Sequence, residues 1–194
     1  MMNTASSPLD ILRESLGTLP EPVATPPLIM VSGLPGTGKS HFCRQLLEKL
    51  AAACVESDSL RKVLFSPPSY GADEIIRLLS LIHSLIDELL SLGVPVVYDA
   101  TNLSERYREH LYHIAQRHRA RLIVVRVEAS AEAVRQRLQH KASGGATGDA
   151  SDADWQVYQR MKAGLQPVRR GHFTVDTSRD IGPVMNKIVR KVNA

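Results

Sequence analysis

The sequence predicts a three-layer α/β fold, in which a five-stranded parallel sheet has helices on both faces and carries a helical lid. From residue 28 onward, short apolar runs alternate with longer amphipathic segments, a pattern typical of strands joined by crossover helices. A glycine-rich loop at 33–40 directly follows the first apolar run, where open α/β sheets place their ligands. The length of 194 residues, with 43% hydrophobic and 23% charged residues, suits one ordinary domain.

Each element follows from this pattern. Strands are predicted at 28–32, 53–56, 94–98, 121–127 and 172–176. Helices are predicted at 38–52, 58–65, 73–92, 104–119, 130–141, 152–164 and 180–192. The small, polar and glycine-rich segment 143–152 is predicted to be a loop. Together with its two flanking helices it forms a candidate lid over about 130–164, within a main domain of residues 28–194.

Residues 1–27 form an extension rich in Ser, Thr and Pro. One short amphipathic helix is predicted from Pro8 to Leu19, with an apolar face of Leu9, Leu12, Leu16 and Leu19. Four prolines at 20, 22, 26 and 27 then make a stiff lead into the first strand. We interpret the helix as an appendage or as a docking helix for a partner protein.

Composition narrows the classes of function. The net charge of +4 and the pI near 9.2 suit a protein that handles polyphosphates or nucleic acid, although many basic proteins bind neither. Aromatic residues make up only 5% of the chain, which weakens the case for a stacking platform for single strands. The apolar runs are too short for a membrane span, and no secretory leader is evident, so we expect a cytoplasmic protein.

The loop at 33–40 reads G-L-P-G-T-G-K-S and matches the phosphate-binding pattern G-x-x-x-x-G-K-[ST]. Its glycines let successive backbone N–H groups point at phosphate oxygens. Lys39 would reach the β- and γ-phosphates of ATP, and Ser40 would supply a hydroxyl to Mg²⁺. The alternative is a plain glycine turn between strand and helix. The candidate nucleotide-binding residues here are Gly33, Pro35, Gly36, Thr37, Gly38, Lys39, Ser40 and His41.

A carboxylate and a guanidinium follow the second predicted strand. Asp58 and Arg61 stand three residues apart at a helix start, on one side of the first turn. Asp58 would accept the proton of an attacking hydroxyl, and Arg61 would hold an anionic part of the acceptor. The alternative is that Ser57 or Asp58 only caps the helix and that Arg61 is a solvated surface residue.

The third predicted strand ends in Asp99-Ala100-Thr101-Asn102. An apolar strand ending in Asp is how many phosphate-loop proteins hold Mg²⁺, so Asp99 is the candidate metal-side carboxylate opposite Ser40. Thr101 and Asn102 would position the acceptor. The alternative is that one of them caps the helix that begins near Ser104.

The helix at 130–141 is basic near its end. Arg137 and Lys141 share a face at i and i+4, where they would neutralise charge on the transferred group. A solvated basic face is the alternative.

These motifs together resemble P-loop kinases around polynucleotide kinase and zeta toxin, a group that includes bacterial kinases with an AAA-type ATP-binding domain. The resemblance covers nearly everything from residue 28 onward and implies a P-loop NTPase fold. It rests on the phosphate loop, Asp58-x-x-Arg61, 99–102, 137–141, Ser151-Asp-Ala-Asp-Trp155 and Val175-Asp-Thr-Ser178. One departure concerns Lys141, where the polynucleotide kinases often have arginine, so bidentate phosphate binding is lost there.

By this resemblance, Asp58 is the general base, Arg61 orients the acceptor, and Arg137 and Lys141 bind phosphates. Thr177 and Arg179, after the last strand, would lie at the adenine. The implied function is an ATP- and Mg²⁺-dependent kinase whose acceptor is a 5′-hydroxyl of RNA or DNA. A small molecule or sugar nucleotide is the alternative acceptor. A nucleotide-dependent ATPase switch, which transfers phosphate only to water, is the alternative from another class.

Overall fold

A computed structural model describes residues 6–144 and 150–194. Five parallel strands form one sheet in the order β2-β3-β1-β4-β5. Their bounds are β1 Pro27–Ser32, β2 Ala53–Glu56, β3 Val96–Asp99, β4 Arg121–Glu128 and β5 Phe173–Asp176. The central strand β1 is buried along its whole length, as its unbroken apolar run requires.

Helices connect the strands and cover both faces of the sheet. Their bounds are α1 Pro8–Ser15, α2 Lys39–Leu47, α3 Ser57–Leu64, α4 Ala72–Ser91, α5 Glu105–Arg117, α6 Ala131–Ala142, α7 Trp155–Ala163 and α8 Gly182–Asn193. Alternate side chains of β1 lie on opposite faces of the sheet. Leu28 and Met30 pack with the helices α3, α4 and α5, whereas Ile29 and Val31 pack with α2 and α8. The predicted three-layer α/β fold is confirmed.

Helices α1 and α7 begin or end at other residues than the sequence predicted, because a turn or a capping residue sets the boundary. Helix α1 ends at Ser15, not near Leu19, because Gly17 takes a positive φ of 69° and turns the chain. Helix α7 begins at Trp155, where Asp154 accepts a 2.8 Å hydrogen bond from the Val157 amide. The candidate lid therefore consists of α6 and α7. Of its predicted loop at 143–152, residues 145–149 lie outside the described residues.

The extension at the N-terminus packs on the domain. Helix α1 contacts α3 and α4, and Leu12 is fully buried in the same core as β1 and β3. Residues 1–5 lie outside the described part of the chain. The apolar face that the sequence offered to a partner protein is thus covered by the chain's own helices. That face of α1 is therefore not a docking surface, which agrees with the interpretation of the helix as an appendage, and a protein partner of residues 1–27 stays a prediction.

Across the described residues, no helix is both long and apolar enough to cross a membrane.

Candidate active site

The phosphate loop lies between β1 and α2, at the carboxyl end of the central strand. Gly36 and Gly38 have positive φ values of 74° and 88°, a region that side chains disfavour. The Lys39 ammonium donates to the Leu34 carbonyl at 3.2 Å, across the loop. Helix α2 begins at Lys39, so its N-terminal amides face the loop. This backbone has the form that cradles phosphate oxygens.

A serine and two carboxylates meet beside the loop. The Ser40 hydroxyl lies 2.8 Å from Asp99 Oδ2 and 3.3 Å from Glu56 Oε1, and Ser59 donates to the other Glu56 oxygen at 2.5 Å. The structure therefore brings Ser40 and Asp99 together, and it adds Glu56, which sequence reasoning missed. Glu56 is the last residue of β2, and it pairs with Asp99, the last residue of β3. The position of Glu56 at the end of a predicted strand is the sequence signal that could have identified it.

These oxygen donors suit Mg²⁺, which takes one or two protein ligands and completes its shell with phosphate and water. Among the described residues, no group of three His, Cys, Asp or Glu side chains is placed to hold a metal by itself.

A cavity of about 590 Å³ opens next to the phosphate loop, and we call it the acceptor cavity. Its lining includes Pro35, Asp58, Arg61, Thr101 and Asn102. The structure thus brings the predicted acceptor residues together with one residue of the phosphate loop. The Asp58 carboxylate is half-buried and makes no hydrogen bond or ion pair with the described residues. It is available to a ligand.

Arg61 was predicted to bind an anionic part of the acceptor, but in the structure it pairs with a carboxylate of the protein. Its guanidinium donates to Glu74 Oε1 at 2.5 Å and lies 4.9 Å from the centre of the Tyr70 ring. Both partners of the ion pair are largely buried, with side chains 12% and 7% exposed. The charge of Arg61 is therefore compensated by Glu74, and little of it is left for an anionic acceptor.

Glu74 is held in its ionised form. Burial by itself would raise the pKa of this carboxyl, but hydrogen bonds from Ser69, Arg61 and the Tyr70 amide outweigh burial and lower the pKa to about 2. Ser69 supplies its backbone N–H at 2.6 Å and its hydroxyl at 2.7 Å. Glu74 thus fixes both Arg61 and the turn that carries Tyr70.

Replacing Glu74 by Gln tests this role through the pH dependence of stability. Because its folded pKa lies below the ordinary value of 4.5, the ionised group stabilises the fold above that pH. This stabilisation is lost as the pH falls toward about 2. The melting temperature of Glu74→Gln should be lower than that of the wild type at neutral pH, and the gap should close on acidification. Glu48→Gln, at an exposed carboxylate, is the control, and a gap that stays constant with pH would contradict the prediction.

Thr101 and Asn102 are held by the end of β1. The Ser32 hydroxyl donates to the Thr101 carbonyl at 3.0 Å, and the Asn102 amide nitrogen donates to the Val31 carbonyl at 3.0 Å. Asn102 also has a positive φ of 47°. The Asn102 donor is therefore engaged by backbone, and Ser104, not Thr101 or Asn102, is the N-cap residue of α5.

Arg137 lies beside the phosphate loop but bonds to protein atoms. Its guanidinium donates to the Thr177 hydroxyl at 2.8 Å, to the Thr177 carbonyl at 2.9 Å and to the Gly36 carbonyl at 3.3 Å. Thr177 in turn donates to the Thr37 carbonyl at 2.6 Å. Arg137 and Thr177 thus join α6 and the end of β5 to the loop.

Three other residues were predicted to contact the nucleotide, namely Lys141, Arg179 and His41. Lys141 bonds to the Ser151 carbonyl at the far end of the lid segment. Arg179 is highly exposed and pairs with Asp176 at 3.3 Å. His41 is exposed on the first turn of α2.

Asp152 is a residue that sequence reasoning did not single out by itself. Its carboxylate accepts hydrogen bonds from Lys62 at 2.8 Å and from the Tyr70 hydroxyl at 2.5 Å. The Lys62 hydrogen bond is the main cause that lowers the pKa of Asp152. These contacts bridge α3 and the segment before α7 at the rim of the acceptor cavity, over a separation that no local pattern reveals.

The comparisons with known proteins bear on this geometry. A family model described as an AAA domain matches residues 28–168. The chain belongs to this family. The matched residues include the phosphate loop, Asp58, Asp99 and both helices of the candidate lid, while Thr177 and Arg179 lie beyond them. No curated protein sequence matches the chain.

Solved structures share this AAA domain fold. A candidate kinase from Chloroflexus aurantiacus is 25% identical, with a TM-score of 0.64 over 87% of this chain and 97% of that one. The APS kinase of Mycobacterium tuberculosis, in complex with AMPPNP and APS, is 17% identical, with a TM-score of 0.64 over 90% and 100%. A gluconokinase from Sinorhizobium meliloti is 21% identical, with a TM-score of 0.61 over 87% and 92%. The last two likenesses establish the fold alone.

Proposed function

We propose that this protein is an ATP- and Mg²⁺-dependent kinase that transfers the γ-phosphate to a hydroxyl group. The observation that carries the proposal is that the acceptor cavity is lined both by Pro35 of the phosphate loop and by the carboxylate of Asp58, which has no hydrogen bond or ion pair among the described residues. A phosphate donor and a proton acceptor would thus flank one space, as phosphoryl transfer requires. Solved structures of a similar fold include enzymes described as kinases, which supports the proposal.

The residues of the site have separate roles in the proposed reaction. Lys39 and the loop amides would bind the β- and γ-phosphates, and Asp58 would take the proton of the attacking hydroxyl. Arg137 would stiffen the loop through the Gly36 carbonyl, and Lys141, Thr177 and Arg179 would act toward the phosphates and the base. Ser40 and Asp99, with Glu56 nearby, would hold Mg²⁺, which would offset the negative charge of the phosphates.

The acceptor is either a small molecule or a polynucleotide end. The largely apolar cavity of about 590 Å³ and the pairing of Arg61 with Glu74 favour a small molecule. The net charge of +4 and the Asp58-x-x-Arg61 motif favour a 5′-hydroxyl of RNA or DNA, which is the second candidate.

The deciding experiment is transfer of labelled γ-phosphate from ATP with Mg²⁺ to a panel of small alcohols, nucleosides, sugar nucleotides and 5′-hydroxyl oligonucleotides. Label in an acceptor supports a kinase and identifies the acceptor class. Release of free phosphate alone, at a rate that the loss of Asp58 does not change, would favour an ATPase switch.

Lys39→Met should lower the rate of phosphoryl transfer by about 10²–10³-fold, because the charge that meets the β- and γ-phosphates is removed. Labelled transfer is measured beside Lys49→Met, which removes an exposed lysine just after the same helix. Equal rates for the two variants would contradict the assignment of the loop as the nucleotide site.

A further inference from the structure

The walls of the acceptor cavity are mostly apolar. Helix α4 contributes Leu78 and Leu79 to the lining, and helix α7 contributes Val157 and Met161. The volume of about 590 Å³ lies within the range of pockets that enclose a small organic ligand. Apolar side chains from these two helices suit the apolar body of a ligand and offer nothing to a chain of phosphates.

Four charged residues line the cavity, and two of them, Arg61 and Asp152, are compensated by ion pairs. Its cations, among the described lining residues, are Arg61 and Arg160. Arg61 pairs with Glu74, and the exposed Arg160 is left to meet a ligand. Binding of nucleic acid relies on several Lys and Arg side chains at phosphates. The unpaired Asp58 carboxylate also disfavours an anion.

Three tyrosines are among the uncharged polar residues of the lining. Tyr98 is fully buried, and its hydroxyl has no hydrogen-bond partner among the described residues. Tyr70 and Tyr107 are part-exposed members of the same lining. Aromatic rings with polar tips are suited to an uncharged ligand that carries hydroxyl groups.

We propose that the acceptor is a compact, uncharged alcohol with an aromatic or alicyclic body that packs between α4 and α7. The inference rests on the proposed kinase function and deepens it. The hydroxyl oxygen of the alcohol forms a bond to the γ-phosphorus of ATP, and the bond from that phosphorus to the bridging oxygen breaks. ADP leaves with the electron pair, and the hydroxyl proton passes to Asp58.

Leu79→Lys tests the proposal because it changes the charge of the cavity wall. Leu79 is half-buried and lines the cavity, so a lysine there is compatible with folding, which thermal melting verifies. Ile76→Lys is the matched control, because Ile76 lies on the same helix with 62% of its surface exposed and does not line the cavity. The probes are 2-naphthylmethanol, 2-cyclohexylethanol, a 5′-hydroxyl oligothymidylate and a sugar nucleotide. Binding is measured by calorimetry in the presence of AMPPNP, and labelled transfer is measured separately.

We expect an uncharged alcohol to bind the wild type and Ile76→Lys equally, and to bind Leu79→Lys about tenfold or more weakly. Failure of both alcohols to bind the wild type would overturn the inference. The inference would also be overturned if the oligothymidylate or the sugar nucleotide bound and if Leu79→Lys bound it more tightly than the wild type. An added cation favours an anionic ligand, so that result would indicate an anionic acceptor. If an alcohol binds but no acceptor is labelled, the cavity assignment stands and the proposed kinase function fails.

Discussion

Asp58→Asn should reduce the rate of phosphoryl transfer by about 10²–10⁴-fold, the range typical of the loss of a general base. Asparagine has nearly the same shape but cannot take a proton, so the acceptor cavity keeps its form. Asp58 is at the start of α3 and outside the phosphate loop, so the affinity for ATP should change little. The check is a comparison of kcat for the labelled acceptor with the dissociation constant of a fluorescent ATP analogue.

The control is Asp73→Asn, which removes an exposed carboxylate from the first turn of the neighbouring helix α4. It should leave both quantities unchanged. Transfer by Asp58→Asn at the rate of the wild type would remove Asp58 from the chemistry. A parallel loss of transfer and ATP affinity would instead indicate that Asp58 supports the nucleotide site.

The fold could be predicted because its determinants are local. Each strand is a short apolar run, and each helix shows one apolar stripe, as Leu78, Ile82, Leu85 and Leu89 do on α4. The phosphate loop is equally local, because eight consecutive residues specify it. Errors occur at helix ends, where a single residue such as Gly17 decides the boundary.

The candidate site could be predicted only in part, because its charge balance depends on distant partners. The sequence pattern places Asp58 and Arg61 together, but it does not reveal that Glu74, thirteen residues later, neutralises Arg61. The rim contact between Lys62 and Asp152 spans ninety residues. Without Glu74 in view, Asp58 and Arg61 resemble a site for an anionic acceptor. Once the partners are known, Asp58 and Arg160 are the charged residues of the cavity lining that no described ion pair compensates.

Arg108→Met should be strongly destabilising. Arg108 is fully buried and pairs with Glu105 at 2.7 Å. It also donates to the Asn102 carbonyl at 2.5 Å, the Gln166 carbonyl at 3.0 Å and the Pro167 carbonyl at 2.8 Å. Methionine fills similar space but leaves the carboxylate and the carbonyls without these donors. Removing one partner of a buried ion pair costs about 3–5 kcal/mol, which lowers the melting temperature by roughly 6–20 °C in a chain of this size.

Arg106→Met is the matched control, because Arg106 is exposed on the same helix and its loss should change stability by about 0.5 kcal/mol or less. Adding Glu105→Gln to Arg108→Met should restore part of the loss, since the uncompensated carboxylate is then neutral. If Arg108→Met melted like the wild type, the arginine would not hold these segments together. Because Arg108 bonds to Asn102 at the acceptor cavity and to residues 166–167 beyond α7, we expect the same variant to loosen the cavity between α4 and α7. Acceptor binding should therefore weaken at temperatures where the fold is still intact.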